Sequence, residues 1–136
     1  MSKPELIADT FCFACGKDNP YGLHMEFAEE GEDYVCRWHP QPHHQGWHKI
    51  LHGGLVSTLL DEVMTWRLVS RGLFAVTAEM TVRLKAPTPL DQELTIRARV
   101  TSERRRFYET EAEIILPDGT VTATATAKYV AMERDE

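Results

Sequence analysis

A glycine pair and a single aspartate stand out in an apolar stretch of this 136-residue chain, residues 51–66 (LHGGLVSTLLDEVMTW). Gly53 and Gly54 are typical of a helix start, where the first N–H groups have no acceptor inside the helix. Such an end carries partial positive charge and stabilises an anion or a developing oxyanion. Asp61 lies among apolar residues, where a carboxylate is costly unless it has a partner or a function. Together these groups indicate acyl transfer or hydrolysis.

The spacing of these groups limits how they can cooperate. Eight helical residues from Gly53 to Asp61 rise by about 12 Å, at about 1.5 Å per residue. An oxyanion donor and a carboxylate acting on the carbonyl carbon must both reach one carbonyl group. One chain therefore cannot supply both, whereas two antiparallel helices of a symmetric dimer can. We expect a composite site that occurs twice, in a homodimer or a dimer of dimers.

Three hydroxyl side chains lie close to Asp61 on the same helix. Thr58 and Thr65, at offsets of minus three and plus four, share its face, and Ser57 lies one turn before it. Thr65 is placed to orient a water or to bond the carboxylate. Alternatively, all three hydroxyls bond backbone carbonyls of their own helix. Glu62 points about 100° away and is the weaker carboxylate candidate.

Two further interpretations remain open for this segment. Asp61 is either catalytic or a structural carboxylate paired with a buried arginine. His52, directly before the glycines, is either a general base or, more commonly, a brace for the loop.

Cysteine and histidine residues raise the question of a metal. A structural zinc site needs four ligands, usually in two close pairs, and this chain has one such pair, Cys12-x-x-Cys15. Cys36 alternates with Val35 and Arg37, which is typical of a core position in a strand. We therefore predict neither a metal nor another cofactor.

The flanking sequence indicates one long helix and an antiparallel sheet. A helix is predicted from Gly54 to about Ser70, ended by Arg71-Gly72. Period-two alternation predicts strands at residues 23–28 and 33–39 and four more after the helix, with a hairpin turn at residues 117–119. One-sided strands must cover a common core, which the helix fills. The fold class is α+β, an antiparallel sheet wrapped around one long central helix.

Length and composition set the remaining bounds. Residues 1–136 are expected to form one domain. A net charge of −6 argues against nucleic acid as a partner, and no apolar run is long enough to span a membrane. The N-terminus lacks the apolar core of a secretory signal, and three cysteines are an odd number, so we expect a cytoplasmic protein.

The HGG motif, with an aspartate nine residues after His52, and the order of elements together resemble hotdog-fold acyl-CoA thioesterases of the phenylacetate-pathway type. The resemblance extends from Leu23 to Tyr129. A subset of these proteins has similar segments to two found here, CFACG with NP and GL in residues 12–23 and HQGW at residues 44–47.

This resemblance implies hydrolysis of an acyl-CoA thioester. Asp61 would be the base or the nucleophile, and the Gly53 N–H of the partner subunit the oxyanion donor. It also implies that a polar side chain of the preceding loop holds the carbonyl or the water, and Gln45 is our choice. His52, Gly54, Ser57 and Thr65 are the further candidates for contact with substrate.

Coenzyme A carries phosphates, so basic residues are also candidates. Arg83, with Lys85, lies on the polar face of the strand after the helix and is predicted to bind substrate. Arg97 and Arg99 are expected to pair with glutamates across strands instead, and residues 104–106 (RRR) to form a solvated turn.

Two other functions fit the same fold. A hydratase or dehydratase of acyl thioesters would pair a histidine, here His52, with Asp61 or Glu62. A non-catalytic acyl-CoA binder is the other alternative, because fold alone does not establish chemistry.

Overall fold

The computed structural model describes residues 9–132 and contains one long helix, one short 3-10 helix and six strands. The prediction that the N-terminus lacks a secretory signal falls mostly on residues 1–8, outside this range. The elements in chain order are β1 (Ala28–Glu30), β2 (Asp33–Trp38), the 3-10 helix (Pro42–His44), α1 (Gly53–Val69), β3 (Phe74–Leu84), β4 (Leu94–Arg104), β5 (Phe107–Ile115) and β6 (Val121–Met132).

All six strands form one antiparallel sheet in the order β1-β2-β4-β5-β6-β3. Helix α1 packs on its inner face, so the predicted α+β architecture is confirmed. β3 lies at one edge, and within residues 9–132 it has a strand partner only on its β6 side. No helix in this range is sufficiently long and apolar to span a membrane.

Helix α1 is enclosed on most sides, as its composition predicts. Leu59, Leu60, Val63, Met64 and Leu68 are fully buried. The helix begins one residue earlier and ends one residue earlier than predicted, and Gly72 beyond it adopts a left-handed conformation (φ 80°). Three small residues of β6 face the core on the inner side of the sheet: Ala123, Ala125 and Ala127.

The strand predicted at residues 23–28 is wrong except for its last residue. Leu23 and Met25 are buried alternately, which imitates a strand, but their N–H groups donate to Phe13 O (2.8 Å) and Ala14 O (3.0 Å) in the N-terminal loop. His24 between them has a positive φ of 54°, which ends any extended run. The alternate burial of residues 23–25 therefore results from their packing against residues 13–14 of the N-terminal loop, and not from strand pairing in a β-sheet. The turn that follows is confined to residues 31–32.

Candidate functional site

The start of α1 is organised by His52. Its backbone is extended (φ −57°, ψ 131°), and its Nδ1 accepts a hydrogen bond from the Gly54 N–H at 2.9 Å. A neutral imidazole that accepts at Nδ1 carries its proton on Nε2. A Cβ on Gly54 would lie 3.1 Å from that Nδ1, so a larger residue would push the ring back by a few tenths of an ångström. This is the bracing role that the sequence left as the commoner interpretation.

This bond changes the assignment within the glycine pair. The Gly54 N–H donates to His52 and is not available to substrate, so a contact of Gly54 with substrate, which stays a prediction, would involve other atoms of this residue. Gly53 is the first residue of the helix, where an N–H has no acceptor inside the helix. A Cβ on Gly53 would meet only Leu84 Cδ1, at 3.4 Å, so few side chains crowd this residue. Gly53 therefore remains the candidate oxyanion donor.

A surface cavity of about 470 Å³ lies at this helix start. Gln45, Trp47, His52 and Gly53 line it, which brings together three residues that the sequence assigned to the site. Gln45 Oε1 accepts from the Lys49 N–H at 2.8 Å and thereby shapes the loop. Trp47 is 85% exposed at the cavity rim.

Asp61 lies in a pocket of hydroxyl groups. Its Oδ1 accepts from Thr77 Oγ1 at 3.3 Å and from Tyr129 OH at 3.5 Å. Thr65 Oγ1 lies 3.1 Å from the same Tyr129 OH, so Thr65 joins this network through the phenol and not through the carboxylate. Burial raises the pKa of the Asp61 carboxyl, the Thr77 hydrogen bond opposes that rise, and the charge of Glu62 adds to it. A carboxylate with a raised pKa is suited to accept a proton.

The sequence did not identify Thr77 or Tyr129. The available signal was the hydroxyl of Tyr129 on the otherwise apolar face of β6, because a buried tyrosine O–H usually finds a partner. Burial also raises the pKa of Tyr129 to about 12, so this phenol stays a proton donor at neutral pH. The alternative that Asp61 pairs with a buried arginine is wrong. Buried Arg67 instead bonds Glu29 at 3.2 Å.

Ser57 and Arg83, two of the residues predicted to contact substrate, have other surroundings within this chain, and their contact with substrate stays a prediction. Ser57 Oγ donates to the Gly53 carbonyl at 3.3 Å, and Thr58 Oγ1 to the Gly54 carbonyl at 3.0 Å, so both bond their own helix. Arg83 lies on the outer face of the sheet because Met80 and Val82 take the inward positions of β3. The structure therefore does not bring Arg83 to Gly53 or Asp61 of its own chain.

The outer face of the sheet carries the predicted cross-strand charge pairs. Arg97 lies 2.7 Å from Glu113, and Arg99 lies 3.7 Å from Glu111.

Glu62 has an environment entirely different from that of Asp61. Its Oε1 accepts from Trp66 Nε1 at 2.9 Å and from Cys12 Sγ at 3.7 Å. Burial and the nearby Glu62 carboxylate raise the pKa of the Cys15 thiol. The structure thus separates the two neighbouring carboxylates, and only Asp61 is surrounded by groups that suit proton transfer.

Comparison with known sequences identifies a family. A family model described as "Thioesterase superfamily" matches residues 48–123. Among curated relatives, acyl-coenzyme A thioesterase 13 of Homo sapiens is 28% identical over 102 residues, which are 74% of this chain and 68% of the relative.

Solved structures agree on the fold. A thioesterase superfamily protein, RHA08564, superposes with a TM-score of 0.84 at 24% identity over 89% of this chain, which spans only 60% of that protein's chain. The E. coli PaaI protein from the phenylacetic acid degradation operon superposes with a TM-score of 0.76 at 20% identity over 82% of this chain and 81% of its own. With a family model that covers more than half of its length, this hotdog-fold chain belongs to the thioesterase superfamily.

Proposed function

We propose that this protein hydrolyses an acyl-CoA thioester to a free acid and coenzyme A. The observation that carries the proposal is the environment of Asp61, a carboxylate whose pKa burial raises and whose position hydroxyl donors fix. The relative named acyl-coenzyme A thioesterase 13 supports the same chemistry. We place this activity in the cytoplasm, where cysteines that form no disulfide are stable.

Asp61 activates the reaction in one of two ways. As a base it takes a proton from water, and the resulting hydroxide attacks the thioester carbonyl carbon. As a nucleophile its carboxylate attacks directly, and water then hydrolyses the mixed anhydride. In both cases the Gly53 N–H, assisted by the positive end of the helix, stabilises the oxyanion, and the C–S bond breaks to release the coenzyme A thiol.

The oxyanion donor comes from a second copy of the chain. Asp61 contacts Thr77 near the start of β3, and Gly53 lies beside Leu84 at the end of the same strand. The segment of β3 from Glu79 to Leu84 pairs with β6 on one side, and its other side, which has no strand partner within residues 9–132, is available for antiparallel pairing with the same strand of a partner. A two-fold axis near Thr81 then places the Thr77 end of one strand beside the Leu84 end of the other. Each Asp61 thereby approaches the helix start of the partner subunit.

The charges on β3 fit this register. With the axis at Thr81, Glu79 of each chain lies opposite Arg83 of the other, on the outer face of the sheet. Opposite charges at directly paired positions stabilise antiparallel strands. Arg83, which lies on the outer face of the sheet, thus has a role in subunit pairing. Leu84, 60% exposed, would be covered by the partner.

The geometry favours hydrolysis over the two alternatives. A hydratase needs a histidine that can take a proton beside the acid, and the histidine that a second copy would bring to Asp61 with its helix start is the equivalent of His52. His52 is committed to the helix start through Nδ1. A binder has no need for a costly buried carboxylate at this position.

Asp61→Asn is expected to lower kcat for thiol release by roughly 10²- to 10⁴-fold, because the amide cannot take a proton or attack. The amide keeps the size of the side chain, and burial disfavours only the charged form, so the Tm should not fall. Release of free thiol from an acyl-CoA panel is the measurement, and exposed Glu103→Gln is the matched control. A change in the absorbance of the substrate's double bond without release of thiol would indicate a hydratase. Binding of acyl-CoA by the wild type without turnover would indicate a non-catalytic binder.

Thr77→Val is expected to move the acidic limb of the kcat/KM profile to higher pH. Catalysis requires ionised Asp61, so activity falls as pH decreases through its pKa. Loss of the Thr77 hydroxyl removes a hydrogen bond to the charged form and raises that pKa further. Thr58→Val is the matched control, since its hydroxyl bonds a backbone carbonyl instead. An unchanged limb in Thr77→Val would show that Asp61 is not the titrating group.

Gly53→Pro is expected to reduce kcat by roughly 10²- to 10³-fold, because it deletes one oxyanion donor. Proline is well tolerated at the first helical position, and the extended backbone of His52 suits a residue before proline. Gly53→Ala retains the N–H and is the control.

Mixing the Gly53→Pro variant with the Asp61→Asn variant tests the composite site directly. Subunit exchange should restore roughly a quarter of wild-type activity, since half of the dimers would contain one intact site of two. A site within one chain would give no recovery at all.

Glu79→Arg is expected to raise the dimer dissociation constant roughly tenfold or more, because it places like charges opposite each other at two symmetric positions. Adding Arg83→Glu restores opposite charges and should recover the wild-type constant, measured by sedimentation equilibrium. Failure of the double variant to recover it would exclude this register.

A further inference from the structure

Three ligating side chains meet beside α1, on the side of Glu62. The Sγ atoms of Cys12 and Cys15 and a carboxylate oxygen of Glu62 all lie within 4.8 Å of one another. Cys12 Sγ is 3.7 Å from Glu62 Oε1. All three residues are partly buried. Fifty residues separate Cys12 from Glu62 in sequence, so only the fold creates this cluster.

The cysteine turn is held rigidly in place. The Gly16 N–H donates to the Cys12 carbonyl at 2.8 Å. A Cβ on Gly16 would lie 2.3 Å from Cys12 N and 2.4 Å from Thr10 O, so the chain can fold back here only at a glycine. Asn19 Nδ2 donates to Phe11 O at 3.2 Å and fastens the loop from its other side. Both thiols are thereby presented to one point without a regular element.

The carboxylate is oriented by a third group. Trp66 Nε1 donates to Glu62 Oε1 at 2.9 Å, and the Trp66 ring stacks on Phe27 with centroids 6.0 Å apart. Such an outer partner fixes the direction of a ligating carboxylate. A surface glutamate would retain rotamer freedom, whereas this one is held toward the thiols.

The spacing suits a tetrahedral ion. Zinc bonds of about 2.3 Å to sulfur and about 2.0 Å to oxygen give a sulfur–oxygen edge of about 3.5 Å, close to the 3.7 Å between Cys12 and Glu62. Charge also balances. Two neutral thiols and one carboxylate carry one negative charge, and so do two thiolates, one carboxylate and a divalent cation. Entry of the ion, with release of two protons to solvent, leaves the net charge of this partly buried site unchanged.

We propose that Cys12, Cys15 and Glu62 bind a thiophilic divalent cation, zinc in the first instance, which ties the N-terminal loop to the middle of α1. Thiolate ligands select zinc over magnesium or calcium. Within residues 9–132 no fourth His, Cys, Asp or Glu joins the group, so water completes the coordination. We predicted no metal from the sequence because structural zinc sites usually have two close pairs of ligands and this chain has one cysteine pair. The third ligand is instead a carboxylate from the helix.

Metal binding by tag-free protein under reducing conditions tests this proposal. The protein is stripped with EDTA, dialysed and titrated with zinc chloride against a chromophoric chelator. The wild type and Cys36→Ala, the matched cysteine control outside the cluster, should bind roughly one ion per chain. Cys15→Ser and Glu62→Gln should weaken binding at least about tenfold through the loss of a ligand, and Trp66→Phe by roughly 10- to 100-fold through the loss of its hydrogen bond.

Cobalt chloride gives a second readout. The wild type should show a thiolate-to-cobalt charge-transfer band and intense visible bands of tetrahedral geometry, both lost in Cys15→Ser. Two results would overturn the proposal. One is equal zinc affinity in the wild type and Cys15→Ser. The other is a wild-type mass lower by two hydrogens, which would indicate a Cys12–Cys15 disulfide under these conditions. Should Cys15→Ser fail to fold, unchanged affinity in Glu62→Gln would overturn the three-ligand site on its own.

Discussion

Burial of α1 within the curled sheet is the constraint on which the rest of this structure depends. The helix leaves few places where polar chemistry can occur, since Leu59, Leu60, Val63 and Met64 fill the core without exposure. What remains accessible is the helix start, beside the loop of residues 40–50, and the flank along β3. Gly53 lies at the first place and Asp61 at the second. Their separation follows from the rise of the helix, and the fold cannot shorten it. A reaction that needs both groups therefore needs a second helix.

Asp61 and Glu62 are adjacent in α1, but their side chains lie in different environments because the helix turns by about 100° per residue. Asp61 faces hydroxyls, which support the anion but leave it free to exchange a proton. Glu62 faces an indole N–H and two thiols, which fix its direction. The same burial acts on both sides. It raises the pKa of the Asp61 carboxyl, and it raises the pKa of the Cys15 thiol beside Glu62.

Local patterns predicted the helix to within one residue at each end, because a continuous apolar face and the flanking glycines are properties of a short segment. Alternation predicted the sheet after the helix for the same reason. It failed at residues 23–28, where alternate burial arises from docking onto Phe13 and Ala14 rather than from a ladder. The partners of Asp61 were missed because Thr77 and Tyr129 lie 16 and 68 residues away, and only the register of β3 and β6 brings them together. Long-range coincidence also created the cluster of Cys12, Cys15 and Glu62.

The two edges of the sheet differ in a way that bears on assembly. An unpaired strand exposes backbone groups that can join another sheet, and proteins protect such edges by shortening or charging them. β1 is protected in this way, since it has three residues, and Glu30 is held by Arg37 at 2.6 Å. β3 is longer, with eleven residues and a regular register from Glu79 to Leu84, and its charged residues Glu79 and Arg83 have opposite signs, so they do not repel a second copy of the same strand. A strand of this length would be a hazard in a monomer. In the proposed dimer, pairing of β3 with its own copy would satisfy the exposed edge, place opposite charges together and complete two sites at once, so stability and catalysis would select the same interface.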